Sequence, residues 1–337
     1  MPDPKWEVEA KVKDIPLAER FVIARESWTI AENVFVVVRY NGEVGVGECS
    51  PSARWEESVE SVRLQIKTLD LKLMSSPFEL EMLSFLMPPG SARCAVDIAM
   101  HDLAAKLAGV SVAQLLGIED NRPSTSITIP IAPVRSMVQR AMRYSDHPTL
   151  KMKVGFDGDV EAVRAVRKVF TGAIRIDANE GWTVDEAVSR LRQLEPLNIE
   201  LCEQPIPSDN YEDLRFVSAC SSIPVFADED VGTARDVARL AGLVDGVNLK
   251  LRKAGGIRET VKAIAVARAH GMKVMLGCDL ESGIGATAGA HVAGLVDYMD
   301  LDGPLLLADD PFPGVTYRRG TVTLPPGPGL GIKKVPL

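Results

Sequence analysis

Eight short apolar runs recur along this chain at a nearly constant pitch. They are TSITIPI from 125, TLKMKV from 149, AIRIDAN from 173, IELCEQP from 199, IPVFADE from 223, GVNLKL from 246, KVMLGC from 273 and YMDLDG from 298. Successive starts differ by 24, 24, 26, 24, 23, 27 and 25 residues. Most gaps carry helical periodicity, as in DVEAVRAVRKVF, TVDEAVSRLRQL and IRETVKAIAVARAHG. A strand that follows a helix crossover pairs in parallel with the strand before it. Eight near-equal units of this kind predict an α/β fold of modified TIM type, a closed (β/α)7β barrel. An open doubly wound sheet is the alternative, but it rarely uses eight equal units.

The first 120 or so residues read differently. NVFVVVRYNGEVGVGE (33–48) has a β-rich run, a turn at Asn41-Gly42 and a second alternating run, which predicts a hairpin. No helical pattern follows the glycines of GEVGVG, so a nucleotide loop is the poorer reading. Residues 56–72 and 91–109 have helical periodicity, the second closed by Gly109. From Asp309 the tail turns Pro/Gly-rich, with a short hairpin expected in VTYRRGTVTL, and it is expected to return onto the N-terminal region.

With 46% hydrophobic and 25% charged residues, the 337-residue chain has ordinary globular composition. A net charge of −8 argues against nucleic-acid and anionic-membrane partners. No run is long enough to span a bilayer, and the charged N-terminus lacks a signal-peptide core, so a cytoplasmic location is expected. Cys49, Cys94, Cys202, Cys220 and Cys278 are scattered and odd in number, which suggests structural thiols.

In a β/α barrel, catalytic groups sit at the C-terminal ends of strands. The third predicted strand ends in Asp177 with Asn179 beyond it, the fourth in Glu203, and the fifth in Asp228 with Glu229. One carboxylate alone is more economically a helix cap or a loop residue. Three on consecutive strands would repel one another unless neutralised, and hard oxygen donors suit Mg²⁺. Lys151 and Lys153 are two apart on the second strand and so point to one side. Lys250 lies on the sixth, diametrically opposed in a barrel of eight. A lysine near a divalent cation and a second lysine is expected to have a depressed pKa and to act as a base. Two such bases on opposite faces of one carbon suit removal of a proton α to a carboxylate and its return from the other side. A snorkelling rim residue is the bland alternative for each.

LKMKVG, IRIDANEGW, LCEQP, FADED, VNLKLRKAGGI and MLGCDLESGIG stand in the order and spacing of the enolase superfamily, and the chain resembles its muconate-lactonizing-enzyme subgroup. That resemblance implies an enzyme, with Asp177, Glu203 and Asp228 as ligands of one Mg²⁺ per subunit. It also implies Lys153 and Lys250 as acid/base lysines with Lys151 assisting Lys153. An α+β capping domain would comprise residues 1–120 completed by 309–337, with the barrel over 121–308. The same resemblance implies a homo-oligomer.

YMDLDGPLLL is similar to the D-x-D signature of dipeptide epimerases of the Ala-Glu type, an isomerase activity. Asp300 and Asp302 would hold the ammonium of a dipeptide substrate. Thr128 falls where that group has a substrate-contacting threonine, although a buried strand threonine reads equally well. Glu26 takes the capping-loop position where Ala-Glu epimerases carry an arginine, and a one-residue slip would place Arg25 there instead. Asp279 replaces a usual apolar residue. Extra anions would favour cationic or neutral dipeptides over acidic ones, unless neighbouring arginines such as Arg25 or Arg54 satisfy them. N-acylamino-acid racemase or o-succinylbenzoate synthase keeps the chemistry with another substrate. A barrel binding amino acids or peptides without turnover is a further alternative.

Overall fold

The computed structural model describes residues 6–336. Strand β1 (Trp6–Val22) pairs antiparallel with β2 (Ser27–Tyr40), and β2 with β3 (Glu43–Cys49). The Asn41-Gly42 hairpin forms as its sequence predicts: both residues have positive φ, 50° and 93°, and Tyr40 pairs with Glu43.

Helix Ser91–Ala108 packs on this sheet and is buried from Ser91 through Ala105. Its approach explains GEVGVG. A Cβ on Gly45 would lie 2.0 Å from the Ala99 carbonyl oxygen, and one on Gly47 would lie 2.0 Å from that of Ala95. These glycines let a sheet and a helix touch backbone to backbone.

Eight parallel strands follow in sequence order: β4 (Ile127–Ile129), β5 (Thr149–Lys153), β6 (Ala173–Asp177), β7 (Ile199–Glu203), β8 (Val225–Ala227), β9 (Gly246–Lys250), β10 (Lys273–Gly277) and β11 (Tyr298–Asp300). A parallel bridge from Thr125 to Met299, with Ser126 N donating to Met299 O at 3.2 Å, joins the last strand to the first. The closed barrel, not the open sheet, is therefore the fold. Seven helices separate the strands, from Val134–Arg143 to Gly283–Val292, besides the single turn Leu251–Ala254 that directly follows β9.

The tail pairs as β12 (Thr316–Arg318) and β13 (Thr321–Thr323). It then runs along the N-terminal region, where Leu330 N donates to Asp102 Oδ1 at 2.7 Å. Two carboxylates from the N-terminal region cap barrel helices. Glu48 accepts from Ser282 N, Ser282 Oγ and Gly285 N at the start of Gly283–Val292. Asp97 accepts from Ile257 N at the start of Ile257–Ala269. The five cysteines are free. Among the described residues no helix is long and apolar enough to cross a membrane.

Candidate active site

Strand alternation and the barrel's C-terminal rim bring the charged residues together. Lys153 is the last residue of β5, Asp177 of β6, Glu203 of β7 and Lys250 of β9, and Asp228 follows β8. In register, Lys153 pairs with Asp177, and Asp177 with Glu203. The backbone just beyond is strained: Asn179, Glu180 and Gln204 have φ of 43°, 69° and 34°, a feature of functional rims. Gln204 accepts from Asp228 N (2.9 Å) and donates to Asp230 (2.7 Å), locking the end of β8 to that of β7.

Lys151, buried in β5, contacts three carboxylates at once: Asp177 at 3.0 Å, Glu203 at 2.8 Å and Asp300 at 2.8 Å. Lys153 donates to Asp177 Oδ2 at 2.6 Å, and Lys250 to Asp228 Oδ2 at 2.9 Å. Lys253, one turn beyond β9, donates to Asp228 and to Asn248 O. Each flanking carboxylate thus carries a lysine, and Glu203 lies between them.

Lys151 and Lys250 depart from the expected depression. Burial alone would lower Lys151 and Lys250, but the facing carboxylates outweigh it, Asp300 first for Lys151 and Asp228 first for Lys250. Both are raised, not depressed. Lys253 is lowered, by its burial. Asp177 and Asp228 resist burial through their lysines and fall below the usual range. Glu203 rises to about 8, through burial first and then the charge of Asp177.

Among the described residues, no three His, Cys, Asp or Glu side chains are drawn together closely enough, as they stand, to hold a metal ion. Ammonium groups are interposed: the cavity wall shows Asp228, Lys151 and Lys153, but neither Asp177 nor Glu203. The donor set still fits a hard divalent cation. The three carboxylates repel one another, and Asn248 fixes Glu203 by donating to Oε1 at 2.7 Å. Glu203 Oε2 lies 2.8 Å from Lys151 Nζ, but too obliquely for a hydrogen bond, and has no donor. A buried carboxylate oxygen left without a donor is open to coordinate a divalent cation.

The cavity above these groups measures about 660 Å³, and its wall also contains Thr128, Glu26, Asp279, Asp300 and Asp302. Asp300 and Asp302 are differently engaged. Asp300 is held low by Lys151 against the effect of burial, and it also accepts from Ser126 Oγ at 2.5 Å. Asp302 lies past the end of β11 and accepts from Thr128 N at 2.6 Å. Its burial, with Asp300 adding, pushes it up to about 7.

Arg25 ion-pairs with Glu229 at 2.8 Å and Glu180 at 3.1 Å, and Arg54 pairs with Glu180 at 2.9 Å. Neither arginine reaches Glu26, which has no side-chain partner among the described residues. Asp279 is neutralised by Arg252, whose Nε lies 2.5 Å from Oδ2. Sequence reasoning gave no role to Asn248, Arg252 or Lys253. The only signal for the arginine and lysine was the density of basic residues before Gly255-Gly256.

A family model described as "Mandelate racemase / muconate lactonizing enzyme, N-terminal domain" matches residues 6–117, and "Enolase C-terminal domain-like" matches residues 134–334. The chain belongs to the enolase superfamily, in this mandelate racemase/muconate lactonizing enzyme family. It is 37% identical to an L-Ala-D/L-Glu epimerase of Bacteroides thetaiotaomicron, over 96% of this chain and 86% of that one. Among solved structures it resembles the substrate-liganded L-Ala-D/L-Glu epimerase from Bacillus subtilis (TM-score 0.93, 33% identity, 98% and 99% of the two chains). It is also similar to a dipeptide epimerase from Cytophaga hutchinsonii complexed with Mg and D-Ala-L-Val (TM-score 0.92, 33% identity, 98% and 95% covered). An N-succinyl Arg/Lys racemase from Bacillus cereus is comparably close in shape (TM-score 0.92, 29% identity, 98% and 95% covered).

Proposed function

We propose that this chain is a Mg²⁺-dependent dipeptide epimerase that inverts the Cα of a dipeptide's C-terminal residue. It is an isomerase, and the observation that carries the finer reading is the placement of Lys153 and Lys250. They stand four strands apart in a barrel of eight, both in the cavity wall, with the acidic strand ends between them. The relatives bound to Mg and dipeptides support the cofactor and substrate class.

In this reading Asp177, Glu203 and Asp228 hold one Mg²⁺. When bound, the ion supplies positive charge against the substrate carboxylate as the Cα proton leaves. Lys153 takes that proton from one face and Lys250 returns one to the other, or the reverse. An ammonium clasped by Asp177 or Asp228 is an acid. The same nitrogen becomes a base when its carboxylate is engaged elsewhere, so the ion pairs of Lys153 with Asp177 and Lys250 with Asp228 also set their switching. Lys151 remains a fixed counter-charge to Asp177, Glu203 and Asp300. Asp302, backed by Thr128 N, receives the dipeptide ammonium.

Residues 1–120 with 309–337 act as the cap and 121–308 as the catalytic barrel. Unpaired Glu26 in the cavity wall favours a cationic or neutral side chain over an acidic one. Asp279 contributes less, because Arg252 offsets it. Arg25 is engaged with Glu229 and Glu180 and anchors the loop between β1 and β2 to the barrel rim.

Incubation with a dipeptide library in D₂O and Mg²⁺, read by mass spectrometry, should show deuterium at one Cα. Absence of exchange across the library, with metal bound, would sink this reading. The likeness to an N-succinyl amino-acid racemase supports a second reading with the same chemistry on N-acylated amino acids. It predicts faster exchange on N-succinyl amino acids than on any dipeptide with a free ammonium.

A further inference from the structure

Two cavity-wall residues each hold a buried acceptor atom with no donor among the described residues: Asn179 Oδ1 and Glu229 Oε2. They belong to side chains tied to each other, because Asn179 Nδ2 donates to Glu229 Oε1 at 3.2 Å. That same Oε1 also takes Arg25 Nη2 at 2.8 Å. One oxygen of Glu229 therefore has a donor and an ion-pair partner and the other neither. Both residues adjoin the acidic strand ends. Glu229 follows Asp228 directly, and Asn179 N donates to Asp177 Oδ1 at 2.9 Å. Burying two acceptors on paired side chains without a donor is costly, and relieving both takes at least two hydrogens. The substrate ammonium is assigned to Asp302, after β11, away from the β6–β8 rim. Mg²⁺ dehydrates reluctantly and keeps several waters.

We propose that Asn179 Oδ1 and Glu229 Oε2 form an outer acceptor site for the water shell of a divalent cation held by Asp177, Glu203 and Asp228. The proposal rests on the metal reading above but not on the choice of substrate. It also links the cap to the metal, because Arg25 fixes which oxygen of Glu229 faces the shell.

The test is calorimetric titration of Mg²⁺ into the substrate-free full-length protein, wild type against Glu229→Gln and Asn179→Gly. In Glu229→Gln the Asn179 amide and the Arg25 guanidinium at Oε1 hold the amide oxygen in place, so the amide nitrogen replaces the needed acceptor. Asn179→Gly removes the other acceptor, and its φ of 43° suits glycine. Each variant should weaken the Mg²⁺ Kd by about tenfold or more while thermal melting shows a folded protein. Folded variants whose Kd values stay within about twofold of wild type would overturn the proposal, since loss of such partners typically costs more. So would an unchanged Kd with a KM raised only for cationic dipeptides, because the acceptors would then read the substrate. A wild type that takes up no Mg²⁺ removes the metal reading and this inference together. Normal Mg²⁺ uptake and a tenfold loss in the variants, with no Cα exchange on any dipeptide, would sink the epimerase reading alone.

Discussion

Lys151 holds its place through three carboxylates, so its removal leaves Asp177, Glu203 and Asp300 facing one another. Lys151→Met should lower stability by about 3–5 kcal/mol, the range for breaking a buried ion pair, as read by denaturant unfolding without metal. Lys153→Ala and Lys250→Ala should each slow epimerisation by about 100- to 10,000-fold. Each should still exchange the Cα proton of one epimer with D₂O, and NMR of both epimers should show opposite survivors. Loss of exchange from both epimers in either variant would contradict the division of faces. Asp302 predicts a pH effect. Raised to about 7, it is protonated below that pH and must ionise to pair with an ammonium. KM should therefore rise as pH falls below about 7, approaching tenfold per unit, and Asp302→Asn should abolish the slope. For stability the sign runs the other way: a carboxyl raised from 3.8 contributes most below that value, and the contribution is lost as pH rises through about 7. At this scale the lysines and carboxylates were legible because strand ends are legible. Their pKa directions were not, because these depend on which oxygen faces which nitrogen.

The elements were the most legible part of the chain. Short apolar runs became the barrel strands and the intervening 3.6-period segments the helices, because a parallel barrel strand is buried on both faces and a surface helix on one. The glycines of GEVGVG were ambiguous for a reason of the same kind: what a glycine makes room for lies on another element, here the helix Ser91–Ala108. The interdomain caps were equally invisible. Glu48 serves the helix Gly283–Val292 from a strand far away in sequence. Glu48→Ala should leave Ser282 N, Ser282 Oγ and Gly285 N buried without an acceptor and cost about 3 kcal/mol or more, seen as a lower thermal midpoint. Glu48→Gln, which keeps one acceptor, should cost less. Equal midpoints for wild type and Glu48→Ala would show that water replaces the carboxylate.

For the whole molecule, the proposed cation between three strands would stabilise the barrel by mass action. Mg²⁺ at one hundred times its Kd should add about 2.7 kcal/mol, measured as a shift in denaturation midpoint that a chelator reverses and Glu203→Gln diminishes. The sequence alone determined the barrel, its strand order and the rim residues, because hydrophobic period and strand spacing are local and repeat eight times. It also put Glu26 and Asp279 forward together as anions that select the substrate. Only the tertiary structure separated them, leaving Glu26 without a side-chain partner among the described residues while Arg252 neutralises Asp279. It likewise joined Lys151 to Asp300 and Arg25 to Glu229. Charge pairing is decided by distances of a few ångströms between distant segments, and no periodicity in a chain encodes which partner folding brings near.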